Sequence, residues 1–358
     1  MKNLSFFIIA LFFVNTSMAQ WSWQNPLPTG FGYSSVFFAD PDHGYIGGRH
    51  GNLIKTTDGG ANWTVLSSGT INDIESVFFI NADTGFAVGN YNVWPGSSSI
   101  LKTTDGGTTW QSYAFPTLKH VYSIYFTDAN TGFAVGWGNS ISAPGVILKT
   151  TNGGATWSVM SFASTLGFFS VYFTDANTGY VVGNLGVILK TTDAGSSWTY
   201  LVSGTTIGLC AVFFPNPSTG YASGIDGTLL KTTNGGTTWD SIPTGTYYTL
   251  QTLFFTDPDT GYVGAYYETT TNISFNILKT SDGGANWTTL STPVNPESMY
   301  FTNANKGFLV GGGIDFYRTL DGGINWTDLT SGTRTNLNSV RFTDYQTGIA
   351  VPVAALRR

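Results

Sequence analysis

An eight-residue stretch recurs seven times along this 358-residue chain, and its spacing constrains the fold more than any other feature. The first copy reads Thr56-Thr57-Asp58-Gly59-Gly60-Ala61-Asn62-Trp63. The pattern Ser/Thr-x-Asp/Asn-x-Gly-x-x-Trp returns around Asp105 and Trp110, Asn152 and Trp157, Asp193 and Trp198, Asn234 and Trp239, Asp282 and Trp287, and Asp321 and Trp326. Successive tryptophans lie 47, 47, 41, 41, 48 and 39 residues apart. Self-similarity at a period near 40 residues marks a repeat array or a propeller.

Each copy reads as a turn between two strands. The Asp or Asn side chain accepts backbone N–H groups just downstream. The second glycine supplies a positive φ that a Cβ would resist. The tryptophan opens the next strand, buries a large apolar face and has an indole N–H to offer an acceptor. Asn152 and Asn234 stand where other copies have Asp. A turn cap survives that exchange and a catalytic carboxylate does not, so these positions read as structural. The Lys before each copy (Lys55, Lys102, Lys149, Lys190, Lys231 and Lys279, with Arg318 in the last) reads as a solvated strand residue.

A second segment, strand–polar turn–strand, appears at Val36 to Gly48, Val77 to Gly89, Ile124 to Gly136, Val171 to Gly183, Val212 to Gly224, Leu253 to Ala265, Met299 to Gly311 and Val340 to Pro352. With the strands flanking the repeated turn, each unit has four antiparallel strands, which is a propeller blade. The strands are apolar on both faces, as expected of sheets sandwiched between neighbours. The polar turns, such as Asp128 to Gly132, read as capped turns; a calcium loop is the lesser alternative. Trp21-Ser22-Trp23 looks like an orphan fourth strand, and Val340 to Val353 like an orphan first and second. The fold expected is therefore an all-β propeller of eight blades, one split between the termini, with seven blades as the alternative.

The repeated turn resembles the Asp-box, or BNR repeat, of sialidases and of several non-enzymatic propellers. The form Ile-Leu-Lys-Thr-Thr-Asp-Gly-Gly-x-x-Trp is most similar to propellers related to the photosystem II assembly and stability factor. That resemblance implies a scaffold that assembles or stabilises a partner complex. In those relatives it implies an arginine-rich docking surface, whereas this chain has six arginines and a net charge of −6. The sialidase resemblance implies an arginine cluster, a Tyr nucleophile and a Glu partner. The chain has only three glutamates, Glu75, Glu268 and Glu297, and no Phe/Tyr-Arg-Ile-Pro stretch.

Residues 1–19 combine Lys2, a short apolar run from Leu4 to Val14 and Ser17-Met18-Ala19, which is a secretory signal with cleavage after Ala19. Residues 20–358 are then one propeller domain, secreted or periplasmic, expected to be monomeric and without a further membrane span. The lone Cys210 excludes an intramolecular disulfide, and the three scattered histidines suggest no metal site. Only 10% of residues are charged, with an acidic balance, which argues against nucleic acid. No cofactor is expected.

Function should lie where the repeats differ, on the loop face opposite the Asp-boxes. There the sequence places Arg49, His50, Tyr91, Trp94, His120, Tyr122, Trp137, Tyr247, Tyr266 and Tyr267 as candidate binding residues. The reading is a non-enzymatic scaffold with a protein partner. The alternative is a carbohydrate-binding or glycoside-hydrolase propeller, using for example Asp226 and Asp315, which would need paired carboxylates across a groove.

Overall fold

The computed structural model describes residues 32–90, 98–115, 118–138, 145–161, 166–268, 273–311, 315–329, 337–342 and 348–352. The first repeat folds as Tyr33–Phe38, Gly44–Gly48, Asn52–Thr56 and Thr64–Ser67, paired antiparallel in chain order. Its second strand is buried along its whole length, and its fourth exposes Thr64, Val65 and Ser67. The inner strands are thus apolar on both faces, and the short outer strand is polar, which blunts the sheet edge. Six further four-stranded sheets follow over residues 73–115, 118–161, 168–201, 209–241, 249–291 and 298–328. We number these blades 1 to 7.

Among the described residues seven apolar clusters join the blades, one at each interface. Tyr45 and Leu53 of blade 1 pack on Ile74, Val77 and Phe79 of blade 2, and the series runs round to Phe308, Val310 and Phe316 of blade 7 against Val36, Phe38 and Ile54 of blade 1. Seven interfaces for seven sheets close the ring. A chain of rings makes the same statement: Phe37, Phe78, Tyr125, Tyr172, Phe213, Phe254 and Tyr300, one per blade, each touch the next at centroid separations of 5.0–5.4 Å. Tyr300 returns to Phe37 at 5.7 Å. Serine hydroxyls stitch the same seam. Val77 N donates to Ser35 Oγ at 3.1 Å, and Val36 N donates to Ser298 Oγ at 3.3 Å across the closing interface.

The all-β propeller is borne out, and of the two blade counts expected the structure takes the alternative, seven, rather than eight with one split. Face-to-face packing of blade 7 on blade 1 completes the ring, so no shared blade is needed to seal it. Leu337–Phe342 and Gly348–Pro352 do pair as the antiparallel hairpin foreseen at the C-terminus, as a two-stranded sheet of their own. They fall in a unit separate from residues 25–331. The signal segment and Trp21 to Trp23 lie outside the described residues.

The Asp-box forms the turn its composition suggests. Asp58 Oδ1 accepts the Thr56 hydroxyl and the Asn62 N–H, each at 2.8 Å, while the Thr56 Oγ1 accepts Gly60 N–H at 2.9 Å. In the Asn versions the acceptor role is unchanged, and the spare amide of Asn152 donates to Thr156 Oγ1 at 2.8 Å. Gly60 has φ +81°, and a Cβ there would meet the Phe308 ring of blade 7 at 2.5 Å. The polar turns are Asx caps: Asp128 Oδ1 accepts Asn130 and Thr131 N–H, and Asn216 does the same work in blade 5.

Two expectations change. The indole N–H finds an acceptor in one box only, Trp110 to Gly107 O at 3.0 Å; in the other six it is buried without a partner. Six of the seven tryptophans stand edge-on to a core phenylalanine at 5.9–6.3 Å. Burying a ring of this size contributes about 4–6 kcal/mol, more than the roughly 1–3 kcal/mol of an unmet donor. The repeated Lys is a clamp between blades rather than a solvated residue. Lys190 Nζ sits over the Tyr180 ring at 5.4 Å and donates to Gly235 O of the next blade's Asp-box at 2.6 Å. Lys55, Lys149 and Lys279 make the corresponding bonds at 3.0, 2.7 and 2.8 Å.

Candidate functional site at the channel mouth

The innermost strand of every blade carries the same irregularity. In blades 1 to 6 the register with the second strand slips by one residue, at Ser34, Glu75, Tyr122, Phe169, Cys210 and Gln251. In blade 7 Glu297 N donates to Val310 O, opposite Ser298, so two residues again face one. A bulge re-aims the side chain it carries. All seven bulge residues line one cavity of ≈ 1020 Å³ at the mouth of the central channel. The seven are chemically mixed, while the residues beside them (Ser35, Ser76, Ser123, Ser170, Ala211, Thr252 and Ser298) are small.

Arg49 and His50 enter the same cavity from the second-to-third loop of blade 1. His50 holds φ 56°, and its N–H donates to Asp73 Oδ1 at 2.8 Å, which fixes the loop to blade 2. Asn184 and Ile225 come from the equivalent loops of blades 4 and 5. Both glutamates are pushed above the usual carboxylate range. For Glu75 burial is the main cause; Asn90 relieves it, Asp73 and Glu297 add to it, and Arg49 opposes it. For Glu297 burial again leads, opposed by Gln251 and Arg49. Gln251 Nε2 donates to Glu297 Oε2, and Asn295 Nδ2 donates to Oε1 at 2.9 Å. Burial raises the Tyr122 hydroxyl to about 12, with Glu75 contributing, and lifts the Cys210 thiol to about 11.

Of the residues singled out from sequence, Arg49, His50, Tyr122 and Tyr266 meet in this cavity. Tyr247, Tyr266 and Tyr267 line a second cavity of ≈ 420 Å³ with Asp226 and Glu268; the two cavities share Thr249 and Tyr266. Tyr247 meets Tyr267 edge-on at 4.9 Å and is 63% exposed. His120 and Trp137 sit one layer back: His120 stacks on Tyr122 at 5.4 Å and meets Trp137 at 6.1 Å. Tyr91 and Trp94 lie outside the described residues. Asp315 lines neither cavity.

Sequence reasoning missed Glu75, Gln251, Glu297, Phe169 and Cys210 as site residues. A signal existed. In the aligned repeats they fill the column just before the small Ser/Thr/Ala position, and that column differs in nearly every copy while its neighbours repeat.

The mouth can present one guanidinium, three carboxylates and several aromatic faces to a ligand.

A family described as photosynthesis system II assembly factor YCF48 matches residues 13–115 and 108–205, together more than half of the chain. Among solved structures, YCF48 from Cyanidioschyzon merolae is similar at 21% identity and a TM-score of 0.65, over 82% of this chain and 97% of that one. A structure of YCF48 bound to D1 peptide is similar at 19% identity and 0.64, over 82% and 93%. The GH74 enzyme of Niastella koreensis is similar at 16% identity and 0.68, over 89% of this chain but 56% of the enzyme. At these identities the likeness is one of fold. No curated protein sequence matches the chain.

Proposed function

The chain belongs to the family of the photosystem II assembly factor YCF48, and from that premise we propose that it is a secreted, non-enzymatic propeller that binds a segment of a protein partner at the channel mouth. One observation carries this reading: seven bulges deliver seven mixed side chains to one end of a scaffold whose strand and Asp-box positions repeat. A rigid frame with a variable mouth is built for recognition. A solved relative in fold holds a peptide, which supports a polypeptide as the kind of ligand. The mouth is formed by second-to-third loops and blade links, which is the face opposite the Asp-boxes.

The test is selection from an unbiased peptide-display library on residues 20–358, followed by two variants. Tyr122→Ala with Tyr266→Ala alters the mouth; Leu320→Ser with Ile324→Ser alters the exposed tip of the last Asp-box. Selected peptides should bind the first variant at least about tenfold more weakly and the second unchanged. Equal loss in both overturns the assignment of the face, and a selection that enriches nothing overturns the protein-binding reading. The GH74 likeness and the Glu75–Glu297 pair favour glycan hydrolysis as the second reading. Release of reducing ends from oligosaccharides, abolished by Glu297→Gln, would establish it instead.

A further inference from the structure

The two cavities on the mouth side form one track through their shared residues, Thr249 and Tyr266. Asp73, Glu75 and Glu297 line its channel end, and Asp226 and Glu268 line its outer end. Against these five carboxylates the lining offers one guanidinium, Arg49, and the imidazole of His50. Arg49 forms no ion pair within 4 Å with either glutamate among the described residues. Behind this lining, on residues that contact the two glutamates but do not themselves line the cavity, two buried polar atoms also lack partners. Asn90 is 1% exposed and its amide is turned toward Glu75, yet its Nδ2 has no acceptor within hydrogen-bond distance. Asn295 donates to Glu297, while its Oδ1 accepts nothing. Buried polar atoms left unmet mark places where a ligand or ordered group completes the network. Excess carboxylate beside aromatic faces suits a cation, through charge-assisted hydrogen bonds at one end and ring faces at the other.

We infer that the partner segment is basic: an extended peptide that sets an arginine or lysine between Glu75 and Glu297 and runs outward over Tyr266 and Tyr267 toward Glu268. This rests on the protein-binding reading above and adds the chemistry of the segment. The cation approaches Glu75 and Glu297 from the open cavity that both line. Further along, Tyr267 stacked on Tyr248 at 5.3 Å supplies a flat face beside the Glu268 carboxylate.

The experiment uses a fluorescein-labelled twelve-residue peptide with three arginines spaced by Gly, Ser and Tyr, and two twins carrying Gln or Glu in place of Arg. Binding to residues 20–358 is read by anisotropy at low and physiological salt. The arginine peptide is expected to bind at least about tenfold more tightly than the Gln twin, with the gap narrowing as salt screens it. Glu75→Gln with Glu297→Gln should remove most of that gap. Ser34→Glu, which adds a carboxylate to the same ring without removing a core contact, should widen it. Equal binding of the three peptides, full retention in the double variant, no gain in Ser34→Glu, or no binding of the arginine peptide at about 1 mM overturns the inference. Library peptides that are not basic but still require Tyr122 and Tyr266 would overturn this inference while leaving the broader reading in place.

Discussion

At the scale of single residues, two groups of carboxyls pull stability in opposite directions with pH. Asp105, Asp193, Asp282 and Asp321 are held at about 2. The side chain, then the backbone N–H, of Thr109, Ser197 and Asn286 lower the first three, and for Asp321 the backbone N–H of Asn325 leads. Their folded values lie below the unfolded one, so their stabilisation is complete above the unfolded value and disappears as pH falls through the folded value. The thermal midpoint should therefore drop as pH falls from about 4 to about 2, and Asp105→Asn should make that drop shallower while leaving the midpoint at neutral pH within about 2 °C. A steeper drop in the variant would contradict the turn-capping account. Glu75 behaves the other way: burial raises its folded value, with Asp73 and Glu297 adding and Asn90 and Arg49 opposing. Its charge costs stability above that raised value, and the cost fades as pH falls toward the unfolded value. Glu75→Gln should thus raise the midpoint at neutral pH by roughly 2 °C, with the difference closing near pH 4.5. The Asp-box carboxylates could be assigned from sequence because the motif repeats them. Glu75 could not, because a search for what recurs passes over a strand column that varies.

At the scale of elements, the strands and turns were readable from local pattern, and the errors came from partners a blade away. Alternation along Ile188-Leu189-Lys190-Thr191 places Lys190 outward, and only the fold brings Gly235 O, 45 residues on, to its ammonium. Tyr180 Oη donates to the same carbonyl at 2.7 Å. Two donors on one acceptor make each partly redundant. Tyr180→Phe and Lys190→Met should each cost about 1 kcal/mol or less, and the double variant should cost more than their sum because the carbonyl then has no donor. Chemical denaturation of the four proteins measures this directly, and strict additivity would show that the shared carbonyl is not the link.

For the whole molecule, the period announced a propeller but not its blade number. Counting segments gave eight, since the C-terminal strands carry the same pattern as the rest. Whether a further blade is needed depends on whether the first and last complete sheets already fit face to face, which is a property of summed packing angles and not of any one repeat. Here Phe308 stacks on Phe38 at 4.7 Å and Tyr300 Oη donates to Phe38 O at 3.0 Å. Every closing contact described lies within residues 33–329. A chain ending at Ser331 is therefore expected to melt within about 3 °C of the full chain, in one cooperative transition by calorimetry. Loss of cooperativity on shortening would show that closure draws on the C-terminal hairpin. The bulge ring has a further consequence, for how such proteins diverge. Each of its seven side chains belongs to a different blade, and none of them takes part in the aromatic circle or the serine seam that hold the ring shut. In the binding role proposed above, single codon changes at the mouth would alter the ligand surface one blade at a time while leaving that circle and seam intact.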